Sequence, residues 1–295
     1  MNPSKGRRKA QEVPFFSVII ATYGRPEMLR EAVSSVLSQT FRDWELIIVD
    51  DAGPAKLPTF SDSRISVLTN VENLGKAASV NRALDLARGT VVAFLDDDDA
   101  WTPLRLAHAH EAHAKGADVV VCGSTELGAE SAPTKRRWME RIYRMGLSSD
   151  SGHVASMGQD SVARDLCPDF DESFVACEDA DWAIRVWQNA HSVALISPAD
   201  FLWRRHSGYR HHNGTRARIE GTKQLLEKHR EYYSTHRRER SFRLYRMALL
   251  YWGSGSYLET RKYALASLKA HANLRAAKWL VASLIAPLAT RVGRR

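Results

Sequence analysis

The stretch Thr90-Val91-Val92-Ala93-Phe94-Leu95-Asp96-Asp97-Asp98-Asp99 decides the fold. Its first six residues carry no charge and read as a buried strand, and four carboxylates come next without a spacer. Carboxylates on adjacent residues repel one another and hold each other's protons more tightly, so the run needs a cation or a substrate to offset it. All-oxygen ligands of this kind favour a hard divalent ion, Mn2+ or Mg2+. A strand that delivers them at its C-terminal end sets them where open α/β sheets bind ligands.

On either side of this strand, short apolar runs alternate with helical periodicity, the pattern of a sheet covered by helices. Phe16 to Ala21, Trp44 to Val49 (ending in Asp50 and Asp51) and Ile65 to Leu68 read as strands. After the turn Tyr23-Gly24-Arg25-Pro26, the residues Leu29, Val33, Val36 and Leu37 recur at helical spacing. A second helix carries Ala78, Ala83, Leu84 and Ala87, and Gly89 is expected to close it. Asp118 to Cys122 and Val193 to Ile196 read as later strands. Between Glu126 and Gln159 the texture changes, and the run Met139 to Met145 reads as a helix or mobile insert; residues 126–160 are expected to shape an acceptor pocket. A second acidic cluster, Glu178-Asp179-Ala180-Asp181, opens a helical pattern continued by Ala183, Val186 and Trp187.

The 295 residues, 44% of them apolar, suffice for one large core and a smaller appendage. A net charge of +8 points to an anionic partner. From Arg204 to Arg246 there are 13 Lys/Arg against 4 Asp/Glu, with five histidines among them. Tyrosines are interleaved there, yet no nucleic-acid-binding motif is present, so no nucleic acid is expected. Cys122, Cys167 and Cys177 lack C-x-x-C spacing, which argues against disulfides and structural zinc and for a reducing cytoplasm. Residues 1–13 read as a disordered basic arm, 14–212 as the α/β domain and 213–295 as a helical extension. Trp279 to Thr290 falls short of the roughly 20 apolar residues that cross a bilayer.

The run Ser17 to Thr22 with Tyr23 and Pro26, Ser38-Gln39-Thr40, Val49-Asp50-Asp51, Asn73-Leu74-Gly75, Asn81, Ala87-Arg88-Gly89, the four aspartates and Glu178-Asp179 together resemble the nucleotide-sugar half of a family 2 glycosyltransferase of GT-A fold. The likeness covers about residues 15–212, and its specificity lies in the order of the signals. It implies an inverting, metal-dependent transfer of a sugar from a nucleoside diphosphate, commonly UDP, to a glycan, lipid-linked or peptide acceptor in cell-surface polysaccharide or glycoconjugate assembly. On that likeness Asp51 accepts a hydrogen bond from the nucleobase, Tyr23 stacks on it, and Thr22 and Lys76 belong to the nucleotide site. Asp98 is the expected metal ligand with Asp96, Asp96 or Asp97 lies on the ribose side, Arg204 and Arg205 lie near the diphosphate, and His206 completes the metal shell. Asp179 is the expected general base, with Glu178 and Asp181 in reserve. A sugar-1-phosphate nucleotidyltransferase would need a Gly-rich, Lys-bearing loop where this chain has Tyr23-Gly24-Arg25-Pro26.

Each assignment has a plainer alternative. The four aspartates suit a loop with helix-capping residues before Trp101-Thr102-Pro103, where Asp99 alone fits the N-cap. Asp51 suits a turn beside Gly53-Pro54, Tyr23 ordinary packing, and Glu178 and Asp179 a solvated first helical turn. The degenerate alternative to an enzyme is a nucleotide-sugar, nucleic-acid or membrane binding module. In the extension, Leu274, Ala277, Val281, Leu284 and Leu288 line one helical face, expected to pack against earlier helices in a small bundle. Its basic surface is a candidate for peripheral contact with anionic lipid at the inner face of the membrane, and a helical appendage of this kind is a candidate for homodimer formation.

Overall fold

The computed structural model describes residues 13–127, 141–144, 157–205 and 214–292. Nearly all of the expected N-terminal arm and most of the 126–160 segment lie outside them. The chain divides into two compact units.

The first unit takes in 13–127, 141–144, 157–169 and 189–205 of these residues. It begins with β1 (Phe16–Thr22), α1 (Pro26–Leu37), β2 (Trp44–Asp50), β3 (Ile65–Thr69), α2 (Lys76–Leu86) and β4 (Val91–Phe94). It continues with β5 (Ala100–Trp101), α3 (Arg105–Ala114), β6 (Val119–Glu126), β7 (Arg141–Arg144) and β8 (Asp160–Ala163), and ends in β9 (Ser192–Trp203). The sheet runs β3-β2-β1-β4-β8-β6-β9-β5, with β7 also paired to β9. Strands β3, β2, β1 and β4 are parallel, as are β6 and β9, and β8 lies antiparallel between β4 and β6. Every residue of β2 and β4 is buried, which is why β4 and the Leu46–Val49 stretch of β2 read as unbroken apolar runs. The core joins Phe16, Val18, Ile20, Trp44, Leu46 and Ile48 to Leu29, Val33 and Val36 of α1 and Leu106 of α3.

Four readings need correction. Helix α2 ends at Leu86, so Gly89 does not close it. Instead the glycine lies flat against β1: its N–H donates to Ser17 Oγ at 2.8 Å, and a Cβ there would sit 2.4 Å from the Ser17 nitrogen. Neighbouring Arg88 is held by Glu45 of β2 through Nε at 2.9 Å and Nη2 at 2.6 Å. Arg141–Arg144 is a strand rather than a helix, paired antiparallel with β9. Strand β8 has no counterpart among the expected strands, and β9 runs well past Ile196 because a register shift against β6 absorbs Pro198.

The second unit takes in residues 170–188 and 214–292 of the described chain. It holds α4 (Glu178–Asn189, its last residue assigned to the first unit), α5 (Gly214–Lys228), α6 (Arg230–Thr235), α7 (Arg237–Gly253), α8 (Tyr257–Ala270) and α9 (Leu274–Val292). Trp182 of α4 is buried and stacks on Phe170 at 5.3 Å, and Phe174, Ala180, Ile184, Leu225 and Tyr233 form a small core. The fourth correction lies here. Leu274, Val281 and Leu284 face solvent, Leu274 at 90% exposure, while Ala276 and Ser283 on the opposite side of α9 are buried. The Leu288 side chain lies outside the described residues.

Gly89→Ala forces a methyl group into the β1 backbone and is expected to cost about 2–3 kcal/mol. Gly253→Ala, which meets nothing within 4 Å, is expected to be neutral or slightly stabilising. Urea midpoints of the two variants test the contrast; equal midpoints would show that β1 and the Arg88-Gly89 loop are not in close contact.

Candidate active site

The four aspartates form a turn directly after β4, closed by the Asp99 N–H donating to the Asp96 carbonyl at 3.2 Å. Parallel strands β1, β2 and β4 end together at this edge, so the segments beyond them converge on the turn. The chain beyond the turn is fixed as well. Gln39, fully buried after α1, donates to the Thr102 carbonyl at 2.7 Å and accepts from the Leu106 N–H at 2.9 Å. It thereby caps α3, which explains the Ser38-Gln39-Thr40 signal as structural. Asp99 is not the N-cap of α3, whose first residue is Arg105 and whose flanking residue is Leu104.

Each carboxylate has its own counter-ion or donor. Thr22 Oγ1 donates to Asp97 at 2.7 Å, and Arg25 Nη1 reaches both Asp97 at 3.0 Å and Asp98 at 2.7 Å. Lys76, the first residue of α2, reaches Asp96 at 2.5 Å. The Arg204 N–H donates to Asp99 at 2.8 Å, its Nε donates to the Asp98 carbonyl at 3.1 Å, and its guanidinium pairs with Glu31. Burial pushes the Asp97 carboxyl up to about 6, against the opposing pull of Arg25 and Thr22. Burial, reinforced by the charge of Asp96, pushes Asp99 up to about 7. One ligand oxygen from each of Asp96, Asp98 and Asp99 lies within 4.8 Å of the others, a spacing suited to one cation.

Asp51 joins this network from β2. It is buried; Oδ1 accepts from Asn70 Nδ2 at 2.7 Å and the Leu74 N–H at 2.8 Å, and Oδ2 accepts from the Gly75 N–H at 2.9 Å. Of roughly four acceptor positions on a carboxylate, one is left, on Oδ2. The turn beside Gly53 is made by Asp50, whose Oδ1 accepts the Gly53 N–H at 3.0 Å, so Asp51 is not the turn residue. The Asn73-Leu74-Gly75 signal is thus the backbone that Asp51 holds, and it delivers Lys76 to Asp96. Tyr23 is half-buried in the loop after β1. Arg205 is exposed and pairs with Glu126 at 2.9 Å rather than with the aspartates. The sequence alone assigns Arg25 no role, although it is the one cation in the Thr22–Pro26 turn and the residue that bridges two of the aspartates. His206 lies outside the described residues.

The second acidic cluster belongs to the second unit, on the first turn of α4. Asp181 is fully buried, with Lys228 and His229 each 2.7 Å from Oδ1 and Arg185 at 2.9 Å from Oδ2. Burial opposes its ionisation, but these partners win and hold it below the usual carboxylate range. Asp181 is therefore a tie between α4, α5 and the residue after α5. Asp179 is half-buried; its Oδ1 accepts from the Ala180 N–H at 2.7 Å, and Arg243 of α7 interacts with it electrostatically. Cys177, just before the cluster, has a left-handed backbone at φ 70°, which turns the chain sharply into α4.

Residues 17–161 match the family model described as Glycosyl transferase family 2. An uncharacterized glycosyltransferase of Methanocaldococcus jannaschii is 30% identical over 199 residues, which are 62% of this chain and 68% of that one. An Escherichia coli enzyme named as a UDP-Glc:α-D-GlcNAc-diphosphoundecaprenol β-1,3-glucosyltransferase is 42% identical over 94 residues, 30% of this chain and 37% of that one. The chain thus spans little more than a third of that relative. Among solved structures, S. aureus TarS 1–349 in complex with UDP-GlcNAc superposes with a TM-score of 0.63 at 17% identity, over 90% of this chain and 83% of that one.

Asp97 and Asp99 hold protons in the folded chain that the unfolded chain has released between about pH 4 and their folded values. The folded state therefore binds more protons in that window, and stability falls as pH rises through about 6 and 7. Without divalent ions, the melting temperature is expected to fall from about pH 5 to about pH 7.5. Asp97→Asn is expected to make that fall shallower; an unchanged slope would remove Asp97 as a titrating group.

Proposed function

The chain belongs to glycosyl transferase family 2, and on that premise we propose that it moves a sugar from a nucleoside-diphosphate donor, UDP-linked, to a hydroxyl of a growing cell-surface glycan, with inversion at the anomeric carbon. It is a glycosyltransferase whose first unit has the GT-A arrangement, with a helical region at the C-terminal end. The observation that carries the donor half of this reading is the joining of Asp51, Lys76 and the aspartate turn in one hydrogen-bonded network at the C-terminal edge of β1, β2 and β4.

In this reading the remaining Oδ2 position of Asp51 accepts the nucleobase N–H, and Tyr23 packs on the ring. Thr22 keeps Asp97 oriented toward the ribose side. Three carboxylate oxygens of Asp96, Asp98 and Asp99 fit a hard divalent ion, Mn2+ or Mg2+, by both chemistry and spacing. When bound there, that ion supplies positive charge against the departing diphosphate. Arg25 and Lys76 pair with the aspartates, and with an ion held there both would be able to face phosphate oxygens. Arg204 fixes the far side of the turn, and His206, if it serves as a further ligand, does so from the segment just after it.

The acceptor hydroxyl must lose a proton as its oxygen attacks the anomeric carbon while the glycosidic bond to the diphosphate breaks. Asp179 takes that proton in our reading. Asp181 is committed to Arg185, Lys228 and the His229 ring, which leaves it a poor base. Glu178 is the reserve. Support for the acceptor class comes from the Escherichia coli relative, whose name specifies a lipid-diphosphate-linked sugar as acceptor.

The reading is tested by melting the chain with UDP, GDP, dTDP and CDP, each with and without Mn2+. A shift is expected only for one nucleotide together with the metal, worth about 2.7 kcal/mol at roughly 100 times the dissociation constant. Asp98→Ala should abolish that shift, whereas Asp179→Asn should keep it and lose transfer by at least about a hundredfold. No shift with any pair would favour a binding module without donor chemistry, and full transfer by Asp179→Asn would move the base to Glu178.

A further inference from the structure

Helices α8 and α9 are amphipathic in the wrong sense for a protein in water. They pack through small side chains: Thr260, Ala264 and Ser267 on α8 and Ala276 and Ser283 on α9 are all fully buried. The Arg261 guanidinium donates to the Ser283 carbonyl at 3.1 Å, tying the two helices together. Their large aliphatic residues point the other way. On α8, Leu258 is 73% exposed and Leu265 also faces solvent, and spacing puts Lys262 and Lys269 on the same stripe. On α9, Leu274, Val281 and Ile285 share a stripe with Lys278, flanked by Leu284. Close packing through small residues with large apolar groups outward suits helices whose outer face does not meet bulk water.

The charge on this face identifies what covers it. The outward stripes carry Lys262, Lys269 and Lys278, and the sequence from Thr260 to Arg295 holds eight Lys/Arg and no Asp or Glu; the one acid of α8, Glu259, pairs with Lys262 at 3.4 Å. Aromatic rings of the kind that settle at a polar–apolar boundary lie beside them, with Trp252 of α7 centred 5.1 Å from Tyr257 of α8 and 4.9 Å from Trp279 of α9. No helix among the described residues is long and apolar enough to cross a bilayer, so the contact is with a surface. A second copy of this chain fits poorly, because an isologous interface would set a face with net positive charge against itself. We infer that the outward faces of α8 and α9 dock on the headgroup region of an anionic phospholipid bilayer, with the aliphatic residues entering the acyl boundary and the lysines contacting the headgroups.

The test is flotation of the full chain with vesicles of phosphatidylcholine alone and with roughly a third phosphatidylglycerol added. Two triple variants accompany it, Leu258→Ser/Val281→Ser/Ile285→Ser and Lys262→Glu/Lys269→Glu/Lys278→Glu. The native chain should float with the anionic vesicles only, and each variant should lower that partition by at least about tenfold. Circular dichroism and the nucleotide-dependent melting shift should stay unchanged in both variants, which separates failure of this inference from failure of the donor assignment. Absence of binding to the anionic vesicles, equal binding to neutral ones, or partition unaffected by either variant would overturn it. So would a concentration-dependent dimer that the serine variant abolishes while lipid binding is absent.

Discussion

Four carboxylates on one turn repel one another, and the first unit is organised around the cations that offset this repulsion. Arg25 comes from the loop after β1 and Lys76 from the start of α2, and Arg204, just beyond β9, brings its backbone N–H to Asp99. Those three points are far apart in the chain and reach the turn only because the sheet brings the ends of its strands together. The ordinary business of the fold is visible in the residues that hold these segments in place. Asp51 clamps the backbone before Lys76, Gln39 fixes the chain after the turn, and Glu45 with Ser17 locks the Arg88-Gly89 loop at the other end of the strands.

This arrangement leaves the site electrostatically unfinished. Burial and mutual repulsion push Asp97 and Asp99 toward neutrality, although a guanidinium, an ammonium and a hydroxyl already face the cluster. In the proposed donor chemistry a divalent ion held by Asp96, Asp98 and Asp99 would offset the same repulsion, and Arg25 and Lys76 would then be able to pair with phosphate oxygens. The two acidic motifs also differ in kind. The aspartate turn is crowded and under-compensated, whereas Asp181 of the second motif is fully paired and holds α4 to its own unit. In the proposed chemistry Asp179, two residues earlier on the same helix, takes the acceptor proton.

Legibility in the sequence followed the range of the interactions. Strands β1, β2, β3 and β4 were read nearly to the residue because each is built on a short run of apolar and β-branched residues, largely buried in β1, β2 and β4 and partly exposed in β3. Strand β8 was missed because Asp160-Ser161-Val162-Ala163 has no such run, and it exists only through its partners β4 and β6. Within the site, the residue types that carry chemistry stood out, and their partners did not. Nothing local says that Arg25 bridges two aspartates more than seventy residues away, or that Asp181 rather than Asp179 is buried.

The terminal helices show the limit of periodicity more sharply. A hydrophobic stripe at helical spacing establishes that a helix has an apolar face, and it is silent on what that face meets. Reading Leu274, Val281 and Leu284 as bundle-facing assumed that water lies outside, and the structure reverses the faces. The signal that decides between the two was present in the sequence but on the other side of the helix. Thr260, Ala264, Ser267, Ala276 and Ser283 allow two backbones to approach closely, and a helix pair that has spent its small residues on mutual packing has its leucines left over. Taken with a final segment free of acidic residues, that surplus is better explained by a partner that is apolar within and anionic at its surface than by a defect of packing.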